Sequence, residues 1–469
     1  MRRPPLILAA LLAGCSMEPH YVRPAEPVPP SWPVGDAYLR QSEAALPAVT
    51  YREIFTDARL QQLIEAALVN NRDLRVAAAN IAAARAQYHI QRANQLPEVD
   101  AQAAAGASRS VTTGGGGRGA FSAGISVPAF EVDLFGRVAS LSHAAQDRYF
   151  ATEAAARATR LTLVGDIAQA WLDYASDASL LQIAKDTAAN AEHSVTLTRQ
   201  RLDGGIAPRT DLAQAQQILA TAQADVAAQT TALAQDVNAL QLLVGAPIDP
   251  AMLPASIDEA APTIAALPAG LDSAILLRRP DVVESEYQLR AANAEIGAAR
   301  AALFPRITLT GLLGVASSTL GGLFSGGFNW SAGADASYTI FHAGAGHANL
   351  HLSEAQRDAA LATYEKSIQT AFREVSDALA RQGTMADQLR AAEADAAAAA
   401  DNYRLTDARY RGGIDNFLTS LVAQRDYYTA ARTLVQTRLT AASNRVALYR
   451  ALGGDSLVEA TPAGPVPPR

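Results

Sequence analysis

The chain has 469 residues, a formal net charge of -7, 49% hydrophobic and 18% charged residues, and a single cysteine. That charge balance argues against a nucleic-acid partner. One cysteine excludes an internal disulfide, and no stretch reaches the roughly 18 continuous apolar residues of a membrane-spanning helix.

Arg2 and Arg3 precede an apolar run at 6–12, too short to cross a bilayer and laid out as a secretory signal, so residues 1–14 stand outside the fold. The run ends in Leu12-Ala13-Gly14-Cys15, which looks like a bacterial lipobox. A diacylglycerol on the Cys15 sulfur and an acyl group on its nitrogen would hold the chain on a membrane, each buried methylene contributing about 0.8 kcal/mol. Ser16, in place of aspartate, resembles an outer-membrane address. Pro19, Pro24, Pro27, Pro29, Pro30 and Pro33 then make residues 15–58 read as an extended, lipidated tether.

The next segments alternate long helices with short strands. Residues 59–96 carry no Gly or Pro and read as one helix. Residues 98–111 and 121–134 follow as strands, with Pro128 marking a bulge or register shift. Residues 138–203 contain no proline and one glycine, Gly165, so they read as one helix of roughly 100 Å. A break at 204–210, led by Gly204-Gly205, turns the chain into a second helix over 211–244.

The pattern then repeats at a constant offset of 208 residues: Asp73, Arg92, Pro97, Arg201, Gly204, Gly205, Ile206 and Gly245 recur as Asp281, Arg300, Pro305, Arg409, Gly412, Gly413, Ile414 and Gly453. Register kept over that distance implies a duplicated unit. The first repeat is 59–268 and the second 269–455. The second holds helices at 281–302, 347–411 and 414–452, strands at 306–316 and 328–341, and a hairpin tip at 412–416. Residues 456–469, with four prolines in the last eight, read as a disordered tail.

The strands alternate an apolar face (Phe328, Trp330, Ala332, Ala334, Ala336) with a polar one (Asn329, Ser331, Gly333, Asp335, Ser337). About 9–11 tilted residues cross a bilayer, and open sheet edges are not tolerated in lipid. Four strands cannot close, so closure needs several chains, and three would supply twelve strands around a water-filled bore.

Leu276-Leu277-Arg278-Arg279-Pro280-Asp281-Val282, the run 296–305, Asp133-Leu134-Phe135-Gly136-Arg137 and Arg409-Tyr410-Arg411-Gly412-Gly413 resemble the NodT-type outer membrane lipoproteins of tripartite RND efflux systems, OprM-like members of the TolC superfamily. The resemblance runs from the lipobox to about Gly453. It implies a mainly α fold with membrane β: a homotrimer whose shared 12-stranded barrel continues into a long periplasmic α-helical barrel. It also implies an exit duct conducting passively for an inner-membrane RND pump and a periplasmic adaptor, with the adaptor docking at Gly204, Gly205, Gly412 and Gly413. In such proteins a leucine and an aspartate one turn apart narrow the pore. Leu418 matches the leucine, but Val422 stands at the acidic position, which leaves Asp415, Arg425 and Asp211 as nearby ionic candidates.

No nucleophile elbow, phosphate loop or thiol–imidazole pair points to an enzyme. His342, His347 and His351 lie close in sequence, yet they read as a solvated helix start, and no metal or other cofactor is expected. A type I secretion duct, a heavy-metal cation efflux channel and a non-conducting trimeric surface lipoprotein are the alternatives, and the transported substrate is not readable.

Overall fold

A computed structural model describes residues 16–29, 31–33, 50–108, 118–267, 273–325, 327–461 and 463–467. The first half comprises α1 (Tyr51–Ile54), α2 (Ala58–Asn70), α3 (Arg72–Ala93), β1 (Asp100–Ser108), β2 (Arg118–Val132), α4 (Arg137–Asp203) and α5 (Arg209–Val244). A short α6 (Ile257–Ala260) leads to the second: α7 (Pro280–Ala301), β3 (Arg306–Ser317), β4 (Phe328–Ser337), α8 (Ala345–Arg411) and α9 (Phe417–Ala451).

Both long helices, α4 and α8, have 67 residues, so each extends about 100 Å. None of the three glycines inside them, Gly165, Gly346 and Gly383, breaks the helix. At Gly165 a Cβ would lie 2.2 Å from Arg450 Cδ, so the missing side chain makes room for α9 to approach α4, where Arg450 pairs with Asp166 at 2.8 Å.

The segment expected as one helix over 59–96 is two. Asn71 interrupts it although neither Gly nor Pro is present. Its side-chain oxygen accepts from the Asp73 and Leu74 amides, and its Nδ2 donates to the Leu243 carbonyl at 2.8 Å. The tie recurs one repeat later, 208 residues on: Arg279 begins α7 and donates to the Ala451 carbonyl at 2.6 Å. In each half one buried polar side chain at the start of a helix thus holds the end of the stacked partner, and Asn71, which unlike Arg279 can accept, also caps its own helix. The partners end in left-handed glycines, Gly245 and Gly453.

The sheet is antiparallel in the order β1-β2-β3-β4. Leu313 pairs with Ile125 and Trp330, and Leu309 with Phe130 and Ala334, so the apolar residues share one face. On the opposite face Thr308 lies between Glu131 and Asp335. The register shift between Val127 and Phe130 brackets Pro128. Without it a spacing of three would turn Phe130 and Val132 to the polar side, so the bulge keeps the apolar face continuous.

Strand bounds differ from expectation at the ends. β1 is Asp100–Ser108 and β2 begins at Arg118; residues 109–117, part of the expected strand and its loop, lie outside the described residues. β4 stops at Ser337, and residues 338–341 leave the ladder before Gly344 caps α8 at φ 83°. The stacked rings of Phe135 and Phe304, 4.6 Å apart, mark the strand–helix junction.

The largest core lies midway along the helices. Trp171, Ile167 and Leu172 of α4 meet Phe55, Leu60 and Ile64, together with Tyr449 of α9. Residues 50–55, assigned to the tether from sequence, therefore belong to this core, with Phe55 packed edge-on against Tyr449. The tail also departs from expectation. Rather than lacking structure, β5 (Ala460–Thr461) and β6 (Gly464–Pro465) pair, and Val458 packs against Ala151, Ala154, Val283 and Tyr287. Several prolines suggested a structureless tail, but Val458 carries enough apolar surface to seat it.

Candidate functional site

The features expected to form a gate meet at the helix ends opposite the sheet. α4 ends at Asp203, and Gly205 takes φ 73°; the Ile206 amide bonds the Arg201 carbonyl and the Gly205 amide the Leu202 carbonyl. α8 ends identically: Gly413 takes φ 74°, Ile414 bonds Arg409 and Gly413 bonds Tyr410. This paired six-to-one and five-to-two bonding needs a left-handed residue after the cap, which glycine adopts at no steric cost. Gly204 and Gly412 are the caps themselves.

The two tips pack together. Arg201 lies over the Tyr410 ring, 4.4 Å from its centroid, and donates to the Tyr410 and Arg411 carbonyls. Beneath them Val195, Ala215, Tyr410 and Phe417 form a small separate core. Ile206 and Ile414 remain 78% and 68% exposed at the outermost turns, an apolar presentation that their own chain leaves uncovered.

Leu418 and Val422 lie one turn apart on α9 and are 55% and 40% exposed. With Ile218, Leu421 and Tyr428 they line a groove of about 360 Å³ between α5 and α9. The ionic candidates are not assembled there. Asp415 is held inside its own turn by Nε and Nη2 of Arg409, at 2.6 and 3.0 Å, and this holds its carboxyl below the usual range. Arg425 lines the groove and, among the described residues, its one ion pair is with its neighbour Asp426, at 3.8 Å. Asp211 lies in the first turn of α5 and makes no ion pair among the described residues.

A cross-helix contact that sequence reasoning missed lies two turns further along. Tyr428 donates to Asp225 of α5 at 2.6 Å, and Arg432, over the Tyr428 ring, stands 3.6 Å from the same carboxylate. Burial, then the bond to Asp225, pushes the Tyr428 hydroxyl up to about 12. The i, i+4 spacing of Tyr428 and Arg432 was legible, but nothing in sequence pointed both toward a carboxylate about 200 residues away.

His347 and His351 lie on the first turns of α8, with His351 beside Glu354 at 3.3 Å. Among the described residues no three His, Cys, Asp or Glu side chains form a group able to hold a metal ion. Cys15 lies outside the described residues, though Ser16 is placed against Gly136 at the start of α4. No helix among the described residues is long and apolar enough to cross a membrane.

The family model for outer membrane efflux proteins matches residues 63–246 and 271–454, two blocks separated by the same offset as the internal repeat. The solvent efflux pump outer membrane protein SrpC of Pseudomonas putida is 43% identical over 96% of this chain and 97% of its own length. Outer membrane protein OprJ of Pseudomonas aeruginosa is 40% identical over 96% of this chain and 95% of its own. Among solved structures, the open state of the Neisseria gonorrhoeae MtrE outer membrane channel superposes with a TM-score of 0.84 at 34% identity, covering 94% of this chain and 98% of that one. The CusC channel superposes with a TM-score of 0.84 at 36% identity, over 94% and 100%. The chain belongs to the outer membrane efflux protein family, and its place is the outer membrane, as the channel of an efflux system.

Proposed function

We propose that three copies of this chain form the passive exit duct of a tripartite RND-type pump, receiving substrate from an inner-membrane transporter through a periplasmic adaptor. The observation that carries this reading is the four-stranded sheet, apolar on one face and polar on the other, whose edges β1 and β4 have no partner among the described residues. Lipid forbids open edges, so the edges must pair between copies, and twelve strands enclose a bore wide enough for water. The polar face, with Thr308, Glu131 and Asp335 side by side, lines that bore.

The exposed Ile206 and Ile414 and their glycine turns suit docking to an adaptor, six tips per trimer. Leu418 and Val422 form stacked apolar rings that close the resting mouth by dewetting, and Asp225, Tyr428 and Arg432 hold α5 against α9 around it. Cys15 carries the lipid anchor; no other cofactor and no catalytic step is part of this reading. SrpC is named for solvents, and related pump proteins of Pseudomonas putida for toluene and antibiotics. Small apolar or amphiphilic molecules are accordingly the cargo proposed here.

Two measurements test the reading. The purified protein in planar bilayers gives discrete conductance steps, and cells lacking it lose export while keeping pump and adaptor. A trimer that conducts nothing with the adaptor present sinks the duct in favour of a surface lipoprotein. Restored secretion of a polypeptide, with no change in solvent or drug tolerance, assigns the chain to type I secretion. Cys15→Ser abolishes incorporation of labelled fatty acid; unchanged labelling refutes the anchor.

A further inference from the structure

The N-terminal segment 16–29 does not hang free. It lies along α7 in the opposite direction and ends beside the junction of β2 and α4. Glu286 of α7 is fully buried, with 0% of its side chain exposed, and Arg23 of the segment, 8% exposed, meets it at 2.6 Å. Tyr21 donates to the other carboxylate oxygen at 3.2 Å, and Arg23 also donates to the Thr461 carbonyl of β5 at 3.0 Å. A Cβ at Gly464 of β6 would stand 3.1 Å from the same carboxylate, so the C-terminal hairpin closes over the pair.

Further along, Asn293 donates to the Pro19 carbonyl at 2.7 Å, and Glu18 pairs with His143 at 2.9 Å. Gly297 lacks a side chain where Glu18 passes: a Cβ there would be 2.7 Å from the Glu18 Cα. Ser16 then reaches Gly136, where a Cβ would meet its Cα at 3.3 Å.

The lengths agree with a taut path. From Glu286 to Gly297 the helix rises about 16 Å at 1.5 Å per residue. The segment covers that distance between Arg23 and Glu18, about 16 Å for extended chain at roughly 3.3 Å per residue. No slack is left. Pro19 and Pro24 favour that extended backbone.

We propose that residues 16–29 are a seated strap, clasped by Arg23 on Glu286 and covered by the C-terminal hairpin, and that this clasp sets where the N-terminus meets the membrane. Among the described residues Arg23 is the sole ion-pair partner of Glu286. A slack tether would not require a buried charge, and removing one partner of a buried pair leaves the other uncompensated. The clasp brings Ser16 to Gly136, next to Phe135 and Phe304 at the foot of the sheet. For its membrane consequence the proposal rests on Cys15 as the anchor; the seating itself does not.

The test uses the full-length protein, with Met17→Cys as a reporter, in three backgrounds: otherwise wild type, Arg23→Met, and Arg23→Met with Glu286→Met. Maleimide labelling at position 17 and proteinase K cleavage within 16–29 are followed with the thermal midpoint. Arg23→Met is expected to speed labelling and cleavage at least tenfold and to lower the midpoint. The double variant, which buries no lone carboxylate, recovers the midpoint yet keeps the fast labelling and cleavage. A double variant whose strap is as protected as in wild type overturns the clasp, because packing alone would then seat the segment. Fatty-acid labelling of Cys15 on the same samples reports on the anchor alone, so a failure of that reading is separable from a failure of the strap.

Discussion

At the scale of single residues, the tips show which sequence signals have one structural meaning. A glycine pair after a long helix, followed by isoleucine, meant one turn in both halves, and the bonds of Gly205 and Gly413 match. The side chains that would close the duct were less legible. Leu418 and Val422 stood out by position, but whether acidic neighbours or apolar rings seal the mouth depends on where each carboxylate finds its partner. Asp415 is spent on Arg409 in its own turn. Leu418→Ser with Val422→Ser is therefore expected to raise basal conductance severalfold in planar bilayers, while Asp415→Asn chiefly alters cation selectivity. The reverse pattern, an Asp415 variant that opens widely and a doubly substituted one that stays shut, would place the seal in ionic contacts. Tyr428→Phe removes the bond to Asp225 but keeps the ring under Arg432, and a modest rise in basal conductance is expected; no change would detach this contact from the gate.

At the scale of elements, periodicity and breaker residues located the long helices and the strands, and missed what tertiary contact decides. Asn71 ends one helix and starts another because its amide satisfies three backbone groups at once, two of them local and one on α5. Asn71→Ala removes the cap and orphans the Leu243 carbonyl, at a cost of about 1–3 kcal/mol. A thermal midpoint unchanged by that substitution would show that packing of α2 alone fixes the break.

The α4–α5 seam carries a second consequence. Asp236 faces Asp177 and Asp173, the latter bonded to Gln169; burial, then those charges, pushes the Asp236 carboxyl up to about 6. An unfolded aspartate titrates near ~3.9. The folded state thus holds the proton more tightly, and stability falls as pH rises from about 4 through about 6. Asp236→Asn is expected to match wild type near pH 4 and to exceed its thermal midpoint at pH 7.5. A difference largest in acid would mean that the carboxyl is stabilised as its anion.

At the scale of the whole molecule, the duplication and the sheet together are the basis of the proposed three-chain assembly. Two equivalent halves each contribute a hairpin, and β2 joins β3 to make one sheet whose outer edges belong to β1 and β4. The sequence showed the alternation but could not show that all four apolar faces coincide, because that depends on the bulge at Val127 and Phe130. The faces make a sharp comparison at two adjacent positions of β4. Ala332 pairs with Gly311 on the apolar side, and Ser331 with Leu312 on the other. An arginine on the lipid face near the middle of a membrane strand costs about 2–4 kcal/mol, and a trimer incurs that cost three times. Ala332→Arg is therefore expected to abolish the heat-stable trimer in outer membranes. Ser331→Arg is expected to insert normally and to shift conduction toward anions, since the added charges line water. The comparison is made by gel mobility of unheated membranes and by reversal potential across a salt gradient. Insertion of the Ala332 variant with loss of the Ser331 variant would turn the sheet inside out and remove the basis for a water-filled barrel.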